Sequence, residues 1–276
     1  MKKLFFVAAL FASLSAATQY RMEYLGRGLH AVPDGKGNLL ISWRLFGTED
    51  SAVHFNLYRK GAGKTAVQKF TVEKATCYLD RFDTAATQTY TLKAVVNGKE
   101  EKEGTSIQVM PGLKSYLSIP LQTPSGYTAN DASVGDMDGD GDYEIVIHMT
   151  GRGRDNSQGG FTDPPVFQCY TLEGKLLWSI NLGKNIREGA HYTQFMVYDF
   201  DGDGRAELAM KTADGTIDGK GIVIGDSTRD YRNEKGYILS GPEFLTMFDG
   251  LTGEALSTVD YIPPRHGKLN PTTEEL

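Results

Sequence analysis

One acidic pattern occurs twice in this chain, and each copy runs straight into an apolar strand. Val134-Gly135-Asp136-Met137-Asp138-Gly139-Asp140-Gly141-Asp142-Tyr143-Glu144-Ile145-Val146-Ile147 returns as Val197-Tyr198-Asp199-Phe200-Asp201-Gly202-Asp203-Gly204-Arg205-Ala206-Glu207-Leu208-Ala209-Met210. Each copy has the form Asp-x-Asp-x-Asp-Gly-x-x-Glu. Three aspartates at alternate positions converge only if the chain curls tightly, and the glycine at the sixth position permits that curl by accepting a positive φ. Convergent carboxylates repel one another unless a cation lies between them. An all-oxygen donor set of this kind suits a hard cation such as calcium, which takes six to eight oxygens. The beginning is that of an EF-hand, but the ending is not. An EF-hand places its bidentate Glu at the twelfth position between helices, whereas here Glu is ninth and a strand follows. The predicted ligands are Asp136, Asp138, Asp140 and Glu144 with the carbonyl of Asp142. In the second loop they are Asp199, Asp201, Asp203 and Glu207 with the carbonyl of Arg205. As written in the sequence these are two separate sites, each pinning a turn between strands. Removal of Asp201 is expected to leave the first loop untouched.

A second element repeats as well. Phe167-Gln168-Cys169-Tyr170 leads through Gly174 to Leu176-Leu177-Trp178, and Leu245-Thr246-Met247-Phe248 leads through Gly253 to Ala255-Leu256. Each reads as strand, turn, strand. The order is therefore acidic loop, strand pair, acidic loop, strand pair, which is the signature of propeller blades. The interval from Asp136 to Asp199 exceeds a minimal blade of ~40–45 residues. Residues 150–165 and 211–241, rich in Gly, Asp and Asn, are the insertions responsible, and such insertions gather on one rim.

Before Met110-Pro111-Gly112 the chain reads differently. Leu39 to Leu45 is strand-like, and Val53 to Tyr58 alternates so that Val53, Phe55 and Leu57 share a face. Thr76–Leu79, Thr89–Val96 and Ser106–Met110 follow, with Asn97-Gly98 as a hairpin turn. Residues 18–110 are thus expected to form a fibronectin type III-like β-sandwich, a scaffold without chemistry of its own. Residues 111–276 are expected to form part of a β-propeller, so the chain is all-β throughout. The 32 glycines and 11% aromatic content agree with short strands and turns rather than long helices.

Lys2-Lys3, the apolar run Leu4–Leu14 and Ser15-Ala16-Ala17 form a signal peptide over residues 1–17. The protein is accordingly expected to be secreted or periplasmic, without a membrane span. Cys77 and Cys169 fall in different units and are expected to be free and buried rather than paired. A formal net charge of −6 excludes nucleic acid as the main partner. Nothing in the pattern demands a second copy, and a monomer is expected.

These residues carry a family resemblance. Tyr127-Thr128-Ala129-Asn130-Asp131-Ala132-Ser133-Val134-Gly135-Asp136 resembles the propeller opening of rhamnogalacturonan lyases of polysaccharide lyase family 11. So do Ile180–Arg187, Gly189–Met196, Met210–Thr216, Asp230–Glu234, and, in the sandwich, Arg27-Gly28-Leu29 and Ser42-Trp43-Arg44. The resemblance covers nearly all of the chain after the leader. It implies an eight-bladed propeller with several calcium ions. It also implies β-elimination at rhamnose–galacturonate bonds of type I rhamnogalacturonan, a plant pectin. Asn130 matches a substrate-contacting Asn of the family. Two departures stand out. The strand after the first loop ends His148-Met149-Thr150 where family members have Lys-Trp-Asp, so Thr150 replaces the Asp that partners Asn130. Only two acidic units have appeared by Leu276, too few to close a propeller.

The basic residues His148, Arg152, Arg154, Lys184, Arg187, His191 and Lys211 are candidates to bind a uronate carboxylate. None is assigned as catalytic. The resemblance implies that the base lies in blades beyond Leu276, so the chain by itself is expected to lack turnover. The competing readings are a non-catalytic, calcium-dependent carbohydrate-binding or adhesion propeller and, on Tyr170…Gly174…Trp178 alone, a quinoprotein-like oxidoreductase.

Overall fold

The computed structural model describes residues 25–81, 86–155, 157–189 and 193–265. The leader, His191 and the last eleven residues lie outside that range. Among the described residues there is no helix, and none long and apolar enough to cross a membrane.

The first unit consists of β1 (His30–Pro33), β2 (Asn38–Ser42), β3 (His54–Gly61), β4 (Val67–Val72), β5 (Cys77–Arg81), β6 (Gln88–Val96), β7 (Lys99–Glu100) and β8 (Thr105–Val109). One sheet has the order β1-β2-β5. The other has β4-β3-β6, with β7 and β8 both on the far side of β6. Three strands thus face five, of which β7 and β8 share the position beside β6, an arrangement that is fibronectin type III-like. Its core includes Leu39, Ile41, Trp43, Phe55, Leu57, Tyr90 and Leu92, with Trp43 edge-on to Phe55 at 5.3 Å between centroids. Val53, Phe55 and Leu57 are all buried, as their alternation requires. Asn97, at φ 50°, and Gly98, at φ 73°, make the turn between β6 and β7. Both cysteines are free, but Cys77 is exposed in β5, which corrects the expectation that both are buried.

The second unit is built from β9 (Thr128–Gly135), β10 (Glu144–Thr150), β11 (Val166–Tyr170), β12 (Leu176–Asn181), β13 (Phe195–Tyr198), β14 (Glu207–Ala213), β15 (Thr216–Ile217), β16 (Val223–Ile224), β17 (Glu243–Phe248) and β18 (Ala255–Asp260). Two antiparallel meanders result, β9-β10-β11-β12 and β13-β14-β17-β18. The hairpin β15–β16 leaves the second meander after β14 and pairs with β12 of the first, extending it to six strands. Register places Val146, Phe167, Cys169 and Ile180 on one face of the first blade. They share a core with Leu208, Met210 and Phe248 of the second blade. The opposite face, with Ile147, Met149, Val166 and Tyr170, is covered by Leu121 and Tyr127. Burial on both faces explains why β10 and β11 read as continuous apolar runs. On the second blade, Met196, Tyr198 and Val259 face away from the first and are exposed.

The blades are locked at Gly250. A side chain there would strike the Ala206 carbonyl oxygen and lie 2.9 Å from that of Met137. The Gly250 carbonyl accepts a 2.6 Å hydrogen bond from Trp178 Nε1. Gly250→Ala is expected to cost at least 1–3 kcal/mol, the usual penalty for overpacking a filled core. Chemical denaturation followed by tryptophan emission checks this.

Candidate metal loops and substrate rim

Both acidic loops adopt one hydrogen-bonding scheme. In the first, Asp136 Oδ1 accepts from Gly139 N at 2.7 Å, and Oδ2 accepts from Gly141 N at 3.0 Å. Glu144 Oε2 accepts from Met137 N at 2.9 Å. In the second, Asp199 Oδ1 accepts from Gly202 N at 2.6 Å and Oδ2 from Gly204 N at 3.0 Å. Glu207 Oε2 accepts from Phe200 N at 2.8 Å. Gly139, Gly141, Gly202 and Gly204 all have φ between 76° and 98°. The fourth position therefore needs glycine as much as the sixth does, a requirement the sequence reading passed over.

The turn folds the carboxylates inward. Asp136, Asp138 and Glu144 each offer an oxygen, with these atoms within 4.8 Å of one another, and Asp199, Asp201 and Asp203 do the same. Asp140 and Glu207 stand outside these tight groups, although Glu207 is anchored in the same way as Glu144. Asp142 is exposed. Arg205, at the equivalent position, pairs with Asp203 at 3.0 Å. Asp136 and Glu144 are buried, as are Asp199 and Glu207. Burial, reinforced by the neighbouring aspartates, pushes Glu144 up to about 7, and the same causes push Glu207 up to about 7. Hard oxygens and buried carboxylates fit a divalent cation, with Arg205 holding Asp203 at the edge of the second turn.

The topology sets these loops apart from the insertions. β10 leaves the first loop at Glu144 and reaches the other end of the sheet at Thr150. β14 does the same between Glu207 and Ala213. Seven residues of strand span ~20 Å at ~3.3 Å per residue. At that far end lie residues 151–155, 157–165, 182–189 and 214–241, together with the start of β9.

The insertions are sewn to one another. Gly160 N donates to Lys235 O at 2.7 Å, and Arg154 N to Glu188 O at 3.0 Å. The Arg187 guanidinium lies over Tyr237 at 4.7 Å and that of Arg232 over Phe161 at 5.1 Å. Asn185 donates to the carbonyls of Asp214 and Arg229 at 2.8 and 3.0 Å and accepts from Tyr231 N.

The rim candidates sort by burial. Asn130 is exposed and donates to Thr150 Oγ1 at 3.1 Å. His148 is 3% exposed, stacks on Phe167, and meets Glu188 Oε2 through Nε2 at 2.9 Å. Its ring is thus held inside the first blade. Arg187 is also buried, with Nη1 on the Asp155 carbonyl at 3.2 Å. Arg152 and Arg154 are exposed, Arg152 beside Asp163 at 3.3 Å. Lys184 is 3.9 Å from Asp230, and Lys211 is 2.9 Å from Glu243. The sequence reading missed Glu188, Asn185 and Asp214, which hold the rim together. Asn185 and Asp214 fall within the family-like segments Ile180–Arg187 and Met210–Thr216, whereas Glu188 falls just outside them.

The raised carboxyls predict a pH dependence. In chelator-treated protein the fold favours protonated Glu144 and Glu207, while the unfolded chain ionises them near 4.5. Stability should therefore fall as pH rises from about 4.5 through about 7. Added calcium, which favours the ionised form, should abolish that fall. Melting curves across this window with and without calcium test it, and Glu144→Gln should remove about half of the metal-free slope, leaving that of Glu207.

Comparison with known proteins accounts for both units. The family model "Rhamnogalacturonan I lyases beta-sheet domain" matches residues 20–110, and "Rhamnogalacturonan lyase family 11, C-terminal domain" matches residues 116–271. The rhamnogalacturonan exolyase YesX of Bacillus subtilis is 50% identical over 260 residues, covering 90% of this chain and 41% of its own. The endolyase YesW of the same organism is 51% identical over 258 residues, covering 89% and 40%. A solved structure of the Bacillus licheniformis rhamnogalacturonan lyase superposes with a TM-score of 0.78 at 52% identity, over 89% of this chain and 43% of that one. The chain thus spans about two fifths of the length of these relatives. By the match of both family models across the sandwich and the blades, the chain belongs to rhamnogalacturonan lyase family 11.

Proposed function

We propose that this chain is the sandwich and early-blade portion, residues 18–110 and 111–276, of an exported pectin-degrading rhamnogalacturonan lyase that carries calcium in both acidic loops. The observation that carries the reading is the layout of the blades: two matched acidic turns at one end and an exposed polar rim at the other, in a chain half identical to lyases of both cleavage modes. Nothing favours a non-catalytic binding propeller or a redox enzyme.

The substrate is type I rhamnogalacturonan. Elimination removes the galacturonate C5 proton and expels the O4 leaving group, forming the C4–C5 double bond. Asn130, steadied by Thr150, offers hydrogen bonds to a sugar. Thr150 cannot supply the charge of the family's Asp, so this half of the contact is neutral. Arg152, Arg154, Lys184 and Lys211 are the cations on offer to uronate carboxylates, and charge-assisted bonds from them would orient the chain of sugars. Calcium in these two loops would fix the turns, and at ~20 Å from the rim it cannot also polarise the uronate there. A base must come within hydrogen-bond reach of C5. His148 cannot, since its Nε2 is committed to Glu188 inside the core. His148 is therefore set aside as the base, and no other residue is assigned that role.

The test is formation of 4,5-unsaturated product from type I rhamnogalacturonan, read by ultraviolet absorbance in the full lyase. Asn130→Ala should raise KM roughly three- to tenfold with a smaller effect on kcat, the cost of one neutral hydrogen bond. His148→Gln, which keeps a hydrogen bond to Glu188, should retain turnover. Complete loss of kcat in that variant, with the fold intact, would make His148 the base and sink this assignment. Absence of any unsaturated product would overturn the lyase reading.

A further inference from the structure

The two acidic loops are in contact. The backbone carbonyl of Asp136, the first ligand residue of one loop, accepts a 2.7 Å hydrogen bond from Ala206 N. Ala206 sits between Arg205 and Glu207, two ligand positions of the other loop. The bond is dry, since Asp136 and Ala206 are both 0% exposed. Two further contacts clamp it. Gly139 of the first loop packs so closely on Arg205 that a side chain there would lie 2.9 Å from Arg205 Cγ. Gly250 wedges against the carbonyls of Met137 and Ala206, held from behind by Trp178.

The geometry points to cooperative occupation of the two loops: filling either one raises the affinity of the other for calcium. This rests on the reading of both loops as calcium sites. A cation in the first loop draws in Asp136, whose side-chain oxygens already hold Gly139 N and Gly141 N. The carbonyl of the same residue then fixes Ala206, and with it the approach of Glu207. The entropy of ordering this shared junction is met by whichever ion binds first, and the second ion binds a junction already set. The first loop carries five carboxylates, Asp136, Asp138, Asp140, Glu144 and the exposed Asp142. The second offers four and an opposing Arg205. The first loop should therefore fill first.

Titration of the chain with calcium by calorimetry tests this directly. Asp138→Asn and Asp201→Asn each disable one loop while leaving the Asp136–Ala206 bond in place. Each should weaken calcium binding at the intact loop, by the same factor in both directions because coupling is reciprocal, on the order of 5- to 150-fold. Circular dichroism and tryptophan emission at saturating calcium, matching the parent chain, separate coupling from unfolding. The unmutated isotherm supplies an independent measure, since independent sites of unequal affinity give a Hill slope below one and coupled sites a steeper one. Intact-loop affinities unchanged within about twofold, with a shallow isotherm, would overturn the coupling and leave the calcium reading standing. No calcium uptake by the parent chain would overturn both.

Discussion

Everything in the blades depends on how the buried carboxylates of the two turns are compensated. Asp136 and Glu144 lie inside the fold beside Asp138, and Asp199 and Glu207 lie inside it beside Asp201 and Asp203. Backbone N–H groups satisfy part of each carboxylate, yet burial still pushes the two glutamates up to about 7. A divalent cation in each turn would offset the charge left over. The same turns set the start of β10 and β14, and those strands carry Val146, Leu208 and Met210 into the shared core. Turn, register and packing thus form one chain of dependence, beginning with an acidic motif.

That motif was the most legible part of the sequence because its geometry is local. Three aspartates, a glycine and a glutamate within nine residues define a turn with no reference to the rest of the fold. The Phe167–Trp178 and Leu245–Leu256 strand pairs were legible for the same reason. The sandwich was read from alternation in Val53–Leu57 and Thr89–Val96. Three of its strands escaped, among them the two-residue β7. β4 lies at a sheet edge, where only Phe70 and Val72 pack against the core, so its polar residues masked the pattern. β1 ends in Pro33 and is only four residues long. The strand expected over Leu39–Leu45 stops at Ser42, because Arg44 turns to bond the Arg27 backbone.

The rim was the least legible. Whether His148 is an exposed base or a buried strut depends on Glu188, forty positions away, and on the ring of Phe167. Asn185 is held by Asp214, Arg229 and Tyr231, all contributed by a different insertion. No spacing rule links such residues. Only the packing of one insertion on another shows which polar groups are committed to structure and which still face solvent. The contact between the two acidic loops was hidden likewise, since a carbonyl-to-amide bond across blades leaves no trace in side-chain identity.

The hairpin β15–β16 has a consequence of its own. It belongs by sequence to the second blade but extends the sheet of the first through a single pair, Asn181 with Ile217. Adjacent blades are therefore interlaced at the rim as well as packed through their cores. A blade cannot be cut out, duplicated or transplanted as a contiguous segment without leaving its neighbour one hairpin short. The smallest exchangeable module of this architecture is accordingly a pair of blades, and recombination between relatives has to respect that unit.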